Sequence, residues 1–286
     1  MVKRILILGE GGIAGAFSAG FIYRLASKKR LDYFNEIYCY SVGTYPATFG
    51  VSGQYKTIRS VWKNKIDGLK LINPFNLLTF GLKKTLKLEY LENLFSSGED
   101  KLDIKKVLNS RIKLKYALMD YSTGKVKFTS PSKNVLKQMS AACAVPVVHG
   151  SVKIENKKYI DPSFVCGTVH ELKRITKKAE KIVYVSNFPV KYRKYNNSKI
   201  NLFFSKKVFE LIGKFYPSPL QEKFKKRFEL IEKTIRYLEK EKKIKIVHPR
   251  KLYLKSARDT NRSKIIKLFK EGIKEADNFS KELNIY

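Results

Sequence analysis

The sequence predicts an α/β protein, three layers deep (α/β/α) around a mostly parallel central sheet. Residues 1–190 alternate short apolar, β-branched runs with longer stretches of helical period, the trace that parallel strands joined by crossover helices leave in a chain. Two of these runs, Ile5-Leu6-Ile7-Leu8 and Ile37-Tyr38-Cys39-Tyr40, pass directly into glycine-punctuated turns and then into helix-like sequence. That is a strand, a sharp turn and a helix, twice over. At 286 residues the chain can bury one substantial core, and no internal repeat or low-complexity linker forces a second. The expectation is one domain over 1–286, with its motifs in 1–190 and further helices and one strand in 191–286.

The first turn reads Gly9-Glu10-Gly11-Gly12-Ile13-Ala14-Gly15. Unpaired N–H groups at the helix that starts there can hold a developing negative charge, so the backbone of Gly11, Gly12 and Ile13 is a candidate oxyanion hole. The second turn places Ser41 at its tip, with Cys39, Val42 and Gly43 completing the elbow. A hydroxyl in that position projects away from the sheet. Because it is almost fully protonated at neutral pH, it needs a base within hydrogen-bond reach to act as a nucleophile. The three histidines offer little: His149 follows the apolar Val145-Pro146-Val147-Val148, His170 stands at a helix start, and His248 ends the strand-like 244–247. Asp161 is the better candidate. It closes the strand-like Lys157-Lys158-Tyr159-Ile160 and precedes a turn-forming Pro162-Ser163, which puts its carboxylate at a strand end, where active-site groups gather.

Two further segments carry a readable pattern. From Leu220, apolar residues recur every three or four positions through Phe224, Phe228, Ile231, Ile235 and Leu238, with charged residues between them. This is an amphipathic helix, read first as one packed on the sheet. Residues 69–86 are dense in leucine, isoleucine and phenylalanine but broken by Pro74 and Gly81, and are expected to form a mobile cap over the site.

In this order the segments resemble those of the patatin-like phospholipases, serine lipid acyl hydrolases that use a Ser-Asp dyad. Gly11-Gly12-Ile13-Ala14-Gly15 with Ala16-Phe17-Ser18-Ala19-Gly20 resembles the family's glycine-rich oxyanion motif. Ser41-Val42-Gly43, trailed by Val51-Ser52-Gly53-Gln54, resembles its G-x-S-x-G elbow and a stretch of a bacterial branch. Met119-Asp120-Tyr121-Ser122-Thr123-Gly124 is similar to its D-x-x-T-G hairpin, Ser140-Ala141-Ala142-Cys143-Ala144-Val145-Pro146 to its small-residue segment, and Asp161 to the aspartate of its D-G-G or D-G-A. Residues 244–249 and 268–277 look similar to the C-terminal strand and helix of that branch.

The resemblance implies a patatin-like fold and an acyl-enzyme formed on Ser41, with Asp161 as base and no cofactor or metal. The substrate would be a lipid or small ester, and the acceptor either water or another group. A carboxyl of ordinary pKa, about 4, is a poor base for serine, so burial should raise that of Asp161. The chain departs from the family at Ala14, where an arginine or lysine is usual, at Glu10, at Cys39 in place of the first elbow glycine, and at Pro162-Ser163. These departures keep a second reading open: a catalytically degenerate relative that binds anionic lipid or nucleic acid. Gly9 to Ala14 also satisfies a loose dinucleotide-binding G-x-G-x-x-A, but that fold wants an acid at the end of the second strand, where this chain has Ser41-Val42-Gly43.

The chain carries 59 lysines and arginines against 25 acids, a formal net charge of +34. Such a field attracts polyanions, although lysine-rich composition also arises from coding bias or habitat. The basic residues are spread along the chain without interleaved aromatics, so no specific nucleic acid is expected, and a peripheral anionic membrane surface suits a lipid hydrolase better. Cys39, Cys143 and Cys166 are odd in number and lack metal-ligand spacing, which points to reducing conditions. The run 5–8 is too short for a signal peptide, and no stretch of about 18 apolar residues exists for a membrane span. The expected place is the cytoplasm, with peripheral membrane contact left open.

Overall fold

Arg4–Leu8 (β1) is apolar at four consecutive positions because it is buried on both faces, the signature of a central parallel strand. Leu6 and Leu8 enter one apolar cluster, Ile5 and Ile7 another. The computed structural model describes residues 3–66, 71–73, 84–165, 169–189, 207, 210–254 and 259–284. Its other strands are β2 (Glu36–Cys39), β3 (Lys113–Asp120), β4 (Val126–Thr129), β5 (Val152–Ile154), β6 (Lys157–Ile160), β7 (Lys181–Val185) and β8 (Ile244–Val247).

They form one eight-stranded sheet in the order β5-β6-β3-β2-β1-β7-β8, with β4 also paired to β3. From β3 to β8 the neighbours are parallel; β4, β5 and β6 add antiparallel pairs at the other side. The chain leaves β1 first for β2 on one side and returns on the other as β7. That reversal opens a crevice at the carboxyl ends of the strands. Leu8 lies opposite both Cys39 and Val185, so three strands end level and their following residues meet there.

The helices are α1 (Ala16–Ser27), α2 (Thr44–Val51), α3 (Tyr55–Ser60), which runs into a π-helical turn Val61–Lys65, α4 (Leu88–Ser96), α5 (Ile104–Leu108), α6 (Val135–Ala142), α7 (Pro162–Val165), α8 (Val169–Thr176), α9 (Ser218–Lys240) and α10 (Arg262–Glu282). Phe17, Phe21 and Leu25 of α1 and Leu268 and Phe269 of α10 cover the face of Leu6, Leu8 and Ile37. Leu172 and Ile175 of α8 and Leu238 of α9 cover the face of Ile5, Ile7 and Tyr38. The three-layer α/β/α arrangement expected from the sequence is thus present.

The amphipathic stripe from Leu220 buries Leu220, Phe224, Ile235 and Leu238 against the sheet side, as a packed helix should. Most of the segment 69–86 lies outside the described residues, as does Cys166; within the segment, Leu71 and Ile72 are buried and Ile72 bridges Leu86. The D-x-x-T-G stretch is a β3–β4 hairpin: the Asp120 carboxylate accepts hydrogen bonds from the backbone N–H and side-chain hydroxyl groups of Ser122 and Thr123, and Gly124 takes φ 63°.

Helices α1 and α10 touch backbone to backbone. A Cβ on Gly20 would lie 2.0 Å from the Phe269 carbonyl oxygen, and one on Gly272 equally 2.0 Å from that of Phe17. Gly20→Ala is expected to force the helices apart and lower stability by about 1–3 kcal/mol, the usual range for an overpacked core. The check is a fall in the urea midpoint at unchanged slope; an unchanged midpoint would contradict this crossing.

Candidate active site

Ser41 sits where β2 ends. Tyr40 is still extended, and the chain then reverses at Ser41, whose φ of 49° lies in the left-handed region. For a residue with a Cβ that conformation costs about 1–2 kcal/mol, and it persists only where surroundings impose it. Here Gly43 N–H donates to the Tyr40 carbonyl at 3.0 Å. Gly43 also presses on β1: a Cβ there would meet Leu8 Cβ at 2.7 Å. Cys39 does not crowd the elbow, because it still belongs to the strand and points into the core on the α1 side. The strained φ falls two residues later.

The glycine loop is locked to this elbow. Gly9 N–H donates to the Val185 carbonyl at 2.9 Å, Gly12 takes φ 54°, and a 3-10 turn Gly12–Gly15 leads into α1. Gly15 lies against Val42, whose Cγ1 would be 2.5 Å from an added Cβ. The first N–H groups of such a turn have no acceptor within it. Gly12 and Ile13 line the same cavity as Ser41, whereas Gly11 packs on Asn187, 2.7 Å from an ideal Cβ to Asn187 Cβ.

Asn187 is the residue that sequence reasoning missed. Fully buried just beyond β7, it donates from Nδ2 to the carbonyls of Gly9 at 2.9 Å and Glu10 at 3.1 Å, and its Oδ1 accepts the Ser18 N–H at 3.0 Å. One side chain therefore fixes the loop and the start of α1 together. Its only signal was an amide directly after the strand-like run 181–185, at the edge where site residues collect.

Asp161 follows β6 and stands at the N-cap position of α7. Its Oδ1 accepts from Ser163 N–H at 2.9 Å and Ser163 Oγ at 2.8 Å, and its own N–H donates to the Ala144 carbonyl at 2.9 Å. Pro162 occupies the first helical position, where its missing N–H is no loss. The Pro-Ser pair expected as a turn thus opens a short helix that Asp161 caps through Ser163. The structure brings Ser41 and Asp161 together: the Ser41 hydroxyl lies beside the Asp161 carboxylate and favours its charged form. Desolvation pushes that carboxyl up to about 6, against hydrogen bonds from Ser41 and Ser163 that favour the charged form, while Glu10 adds to the upward push.

The Cys143 thiol, also beside Ser41 and Asp161, is held well above its ordinary range by burial. The glycine loop carries Ala14 where the family has a cation, and Arg227 of α9 lies within electrostatic range of its Glu10. Burial lowers this guanidinium to about 10, and Glu10 opposes the shift. The buried His149 Nδ1 lies 2.8 Å from the Leu86 carbonyl oxygen, and His248 Nδ1 is 2.9 Å from that of Pro249. Among the described residues no three His, Cys, Asp or Glu side chains are placed to hold a metal ion.

From Ser41 a cavity of about 90 Å³ extends between α2, α3, the π turn and α4. Its walls are almost wholly apolar, with Tyr45, Phe49, Ile58, Trp62, Leu91 and Phe95 prominent. The π turn that carries Trp62 is pinned from outside: Arg262 donates to the Lys63 carbonyl and Asn64 Oδ1, and Tyr90 to the Lys65 carbonyl. Such turns frequently mark functional sites.

No protein-family model and no curated protein matches this sequence. Among solved structures twelve chains match. One is VipD from Legionella pneumophila, with a TM-score of 0.50 and 11% identity over 99% of this chain and 67% of that one. At that identity the likeness shows a shared α/β fold.

Asp161 titrates near 3.8 when unfolded and near 6 in place. Below the first value both states hold the proton; between the two only the folded state does; above the second neither does. Stability is expected to fall as pH rises from about 4 to about 6, by up to about 3 kcal/mol, and Asp161→Asn should lack that fall. Urea unfolding of both proteins across this range checks it, and parallel pH profiles would contradict a buried ionisable carboxyl at this position.

Proposed function

We propose that this chain is a carboxylic ester hydrolase of the patatin-like kind, acting on lipid or small esters through Ser41 and Asp161. The observation that carries this reading is the juxtaposition of a serine at a left-handed elbow with a buried carboxyl raised to about 6, at the end of an apolar cavity. A carboxyl near 6 is ionised at neutral pH yet a stronger base than an exposed one, which suits proton transfer. The departures from the family pattern also have local accounts: Cys39 fits the core, Ser163 caps Asp161, and Arg227 lies near Glu10. These favour the enzyme over a degenerate relative.

In the proposed reaction Ser41 Oγ attacks the ester carbonyl while its proton passes to Asp161. The carbonyl oxygen becomes an oxyanion held by the N–H groups of Gly12 and Ile13, each such donor being worth roughly 3–4 kcal/mol in the transition state. Asp161 returns the proton to the departing alcohol. Water then enters, gives a proton to Asp161 and attacks the acyl-enzyme; the proton goes back to Ser41 as the acid leaves. The cavity holds the acyl chain and the carboxyl edge of the sheet faces the alcohol portion.

Wild type is expected to hydrolyse p-nitrophenyl esters, with kcat/KM rising through a limb near pH 6, and to be labelled on Ser41 by a fluorophosphonate. Ser41→Ala and Asp161→Asn should each lower kcat by at least about 10³-fold. A folded wild type that neither turns over nor labels would sink the proposal. The cavity walls make a second expectation. Trp62→Ala should raise the ratio of kcat/KM for a dodecanoyl over a butyryl ester about ten-fold, since added pocket depth rewards added methylenes; an unchanged chain-length profile would place the acyl chain elsewhere.

A further inference from the structure

The turn after β8 and the outer face of α10 enclose a groove of about 620 Å³. Arg250, Lys251 and Tyr253 form one wall, and Lys267, Lys270 and Lys274, spaced to share one helix face, form the other. Glu271 is buried at its floor, where one carboxylate oxygen accepts the Arg250 N–H at 2.5 Å. The Arg250 guanidinium is paired with Glu275. Among the described residues no carboxylate pairs with Lys251, Lys267, Lys270 or Lys274.

The charge is concentrated further at the edge. Lys63 on the π turn is held below its ordinary pKa first by desolvation and then by the like charges of Arg59 and Lys270. Helix α9 is as rich in lysine but partly neutralised: Lys226, Lys233 and Arg236 each pair with a glutamate one turn earlier. In the groove Arg250 is paired with Glu275, but Lys251, Lys267, Lys270 and Lys274 have no carboxylate partner among the described residues. Between Lys251 and Tyr253, Leu252 stands 41% exposed, so the cationic wall carries an apolar residue pointed at solvent.

Position ties this surface to the site. Residues 250–253 follow β8, which is parallel to β7 and β1 and ends on the same edge of the sheet as the glycine loop. The π turn faces both ways, with Lys63 in the cation cluster and Trp62 in the cavity wall. We propose that the groove between 250–253 and α10 docks the protein on an anionic bilayer, phosphate-bearing headgroups filling the cationic groove and Leu252 entering the interface. Exposed lysines beside an apolar side chain match a surface that presents phosphates above hydrocarbon, and each basic residue near such a surface strengthens binding several-fold. Docking so placed brings the π turn, and the cavity behind it, against lipid. That last consequence rests on the esterase reading; the docking does not.

The test is co-sedimentation with vesicles of phosphatidylcholine alone and of phosphatidylcholine with phosphatidylserine. Compared are wild type, the groove variant Lys251→Gln, Lys267→Gln, Lys270→Gln and Lys274→Gln, and a variant with the same charge change at exposed lysines elsewhere, Lys125→Gln, Lys153→Gln, Lys157→Gln and Lys158→Gln. Wild type should bind the serine-containing vesicles and not the neutral ones. The groove variant should lose on the order of 100-fold in affinity and the other variant less than about five-fold, with all three showing the same far-UV dichroism. Equal losses in both variants would reduce the effect to diffuse charge and overturn the site. A groove variant that binds vesicles as wild type does, or that loses affinity for single-stranded RNA and not for vesicles, would overturn it as well. Ser41→Ala should bind vesicles like wild type, so a failure of the esterase reading leaves the docking result intact.

Discussion

The parallel pairing of β1 with β2 and β7, in a register that ends all three strands together, is the constraint on which the candidate site depends. Leu8, Cys39 and Val185 are level, so the segments that follow must turn away from the sheet within a few ångströms of one another. Each turn must then be tight, and each is tight by a different device. The loop after β1 uses glycine where side chains would strike Asn187 and Val42. The elbow after β2 uses Gly43 against β1 and accepts strain at Ser41. The turn after β7 contributes Asn187 as a clasp. A slip of one residue in this pairing would exchange the two faces of β1 and separate the turns at the same stroke.

Burial of the glycine loop is tolerated because its carbonyls are satisfied. Asn187 takes up two loop carbonyls and one helix N–H, groups that would each cost about 1–3 kcal/mol if left unpaired away from water. Asp161 is treated differently. It receives Ser163 and Ser41 but, among the described residues, no adjacent cation, and desolvation prevails over both. A neighbouring lysine or arginine would hold the carboxyl low and make it a poor base. Desolvation and the nearby Glu10 charge act in the same direction, so stability is given up at this position to keep a carboxyl of raised proton affinity.

The same economy governs the surface. On α9, glutamates one turn earlier pair with Lys226, Lys233 and Arg236, a pattern worth only a few tenths of a kcal/mol each. On α10 the lysines at 267, 270 and 274 share one face with no such partners, beside the cations of the turn after β8. Net charge of +34 says that a field exists; the distribution of carboxylates decides where it is strong.

Much of this was legible in the chain. The unbroken apolar run 5–8 announced a strand buried on both sides, the glycines marked both turns, and the period of three and four from Leu220 marked a packed helix, because these signals are local and follow from backbone geometry. Ser41 and Asp161 were nameable as candidates for a nucleophile and its base from residue type and strand-end position alone. What the residues could not announce were relations between distant segments. Asn187 sits 178 positions from the glycine whose carbonyl it holds, and nothing in its neighbours points there. The loop carries no cation of its own at Ala14, whereas Arg227 of α9, more than 200 positions on, lies within electrostatic range of Glu10. The sequence by itself determined the strands, the turns and the chemistry each could offer, since those depend on neighbours a few residues away. Only the tertiary structure decided that the Ser41 hydroxyl meets the Asp161 carboxyl, that this carboxyl is dry, and that the lysines of α10 stand unneutralised beside the turn after β8. Distance, desolvation and screening are properties of packed space and not of chain order.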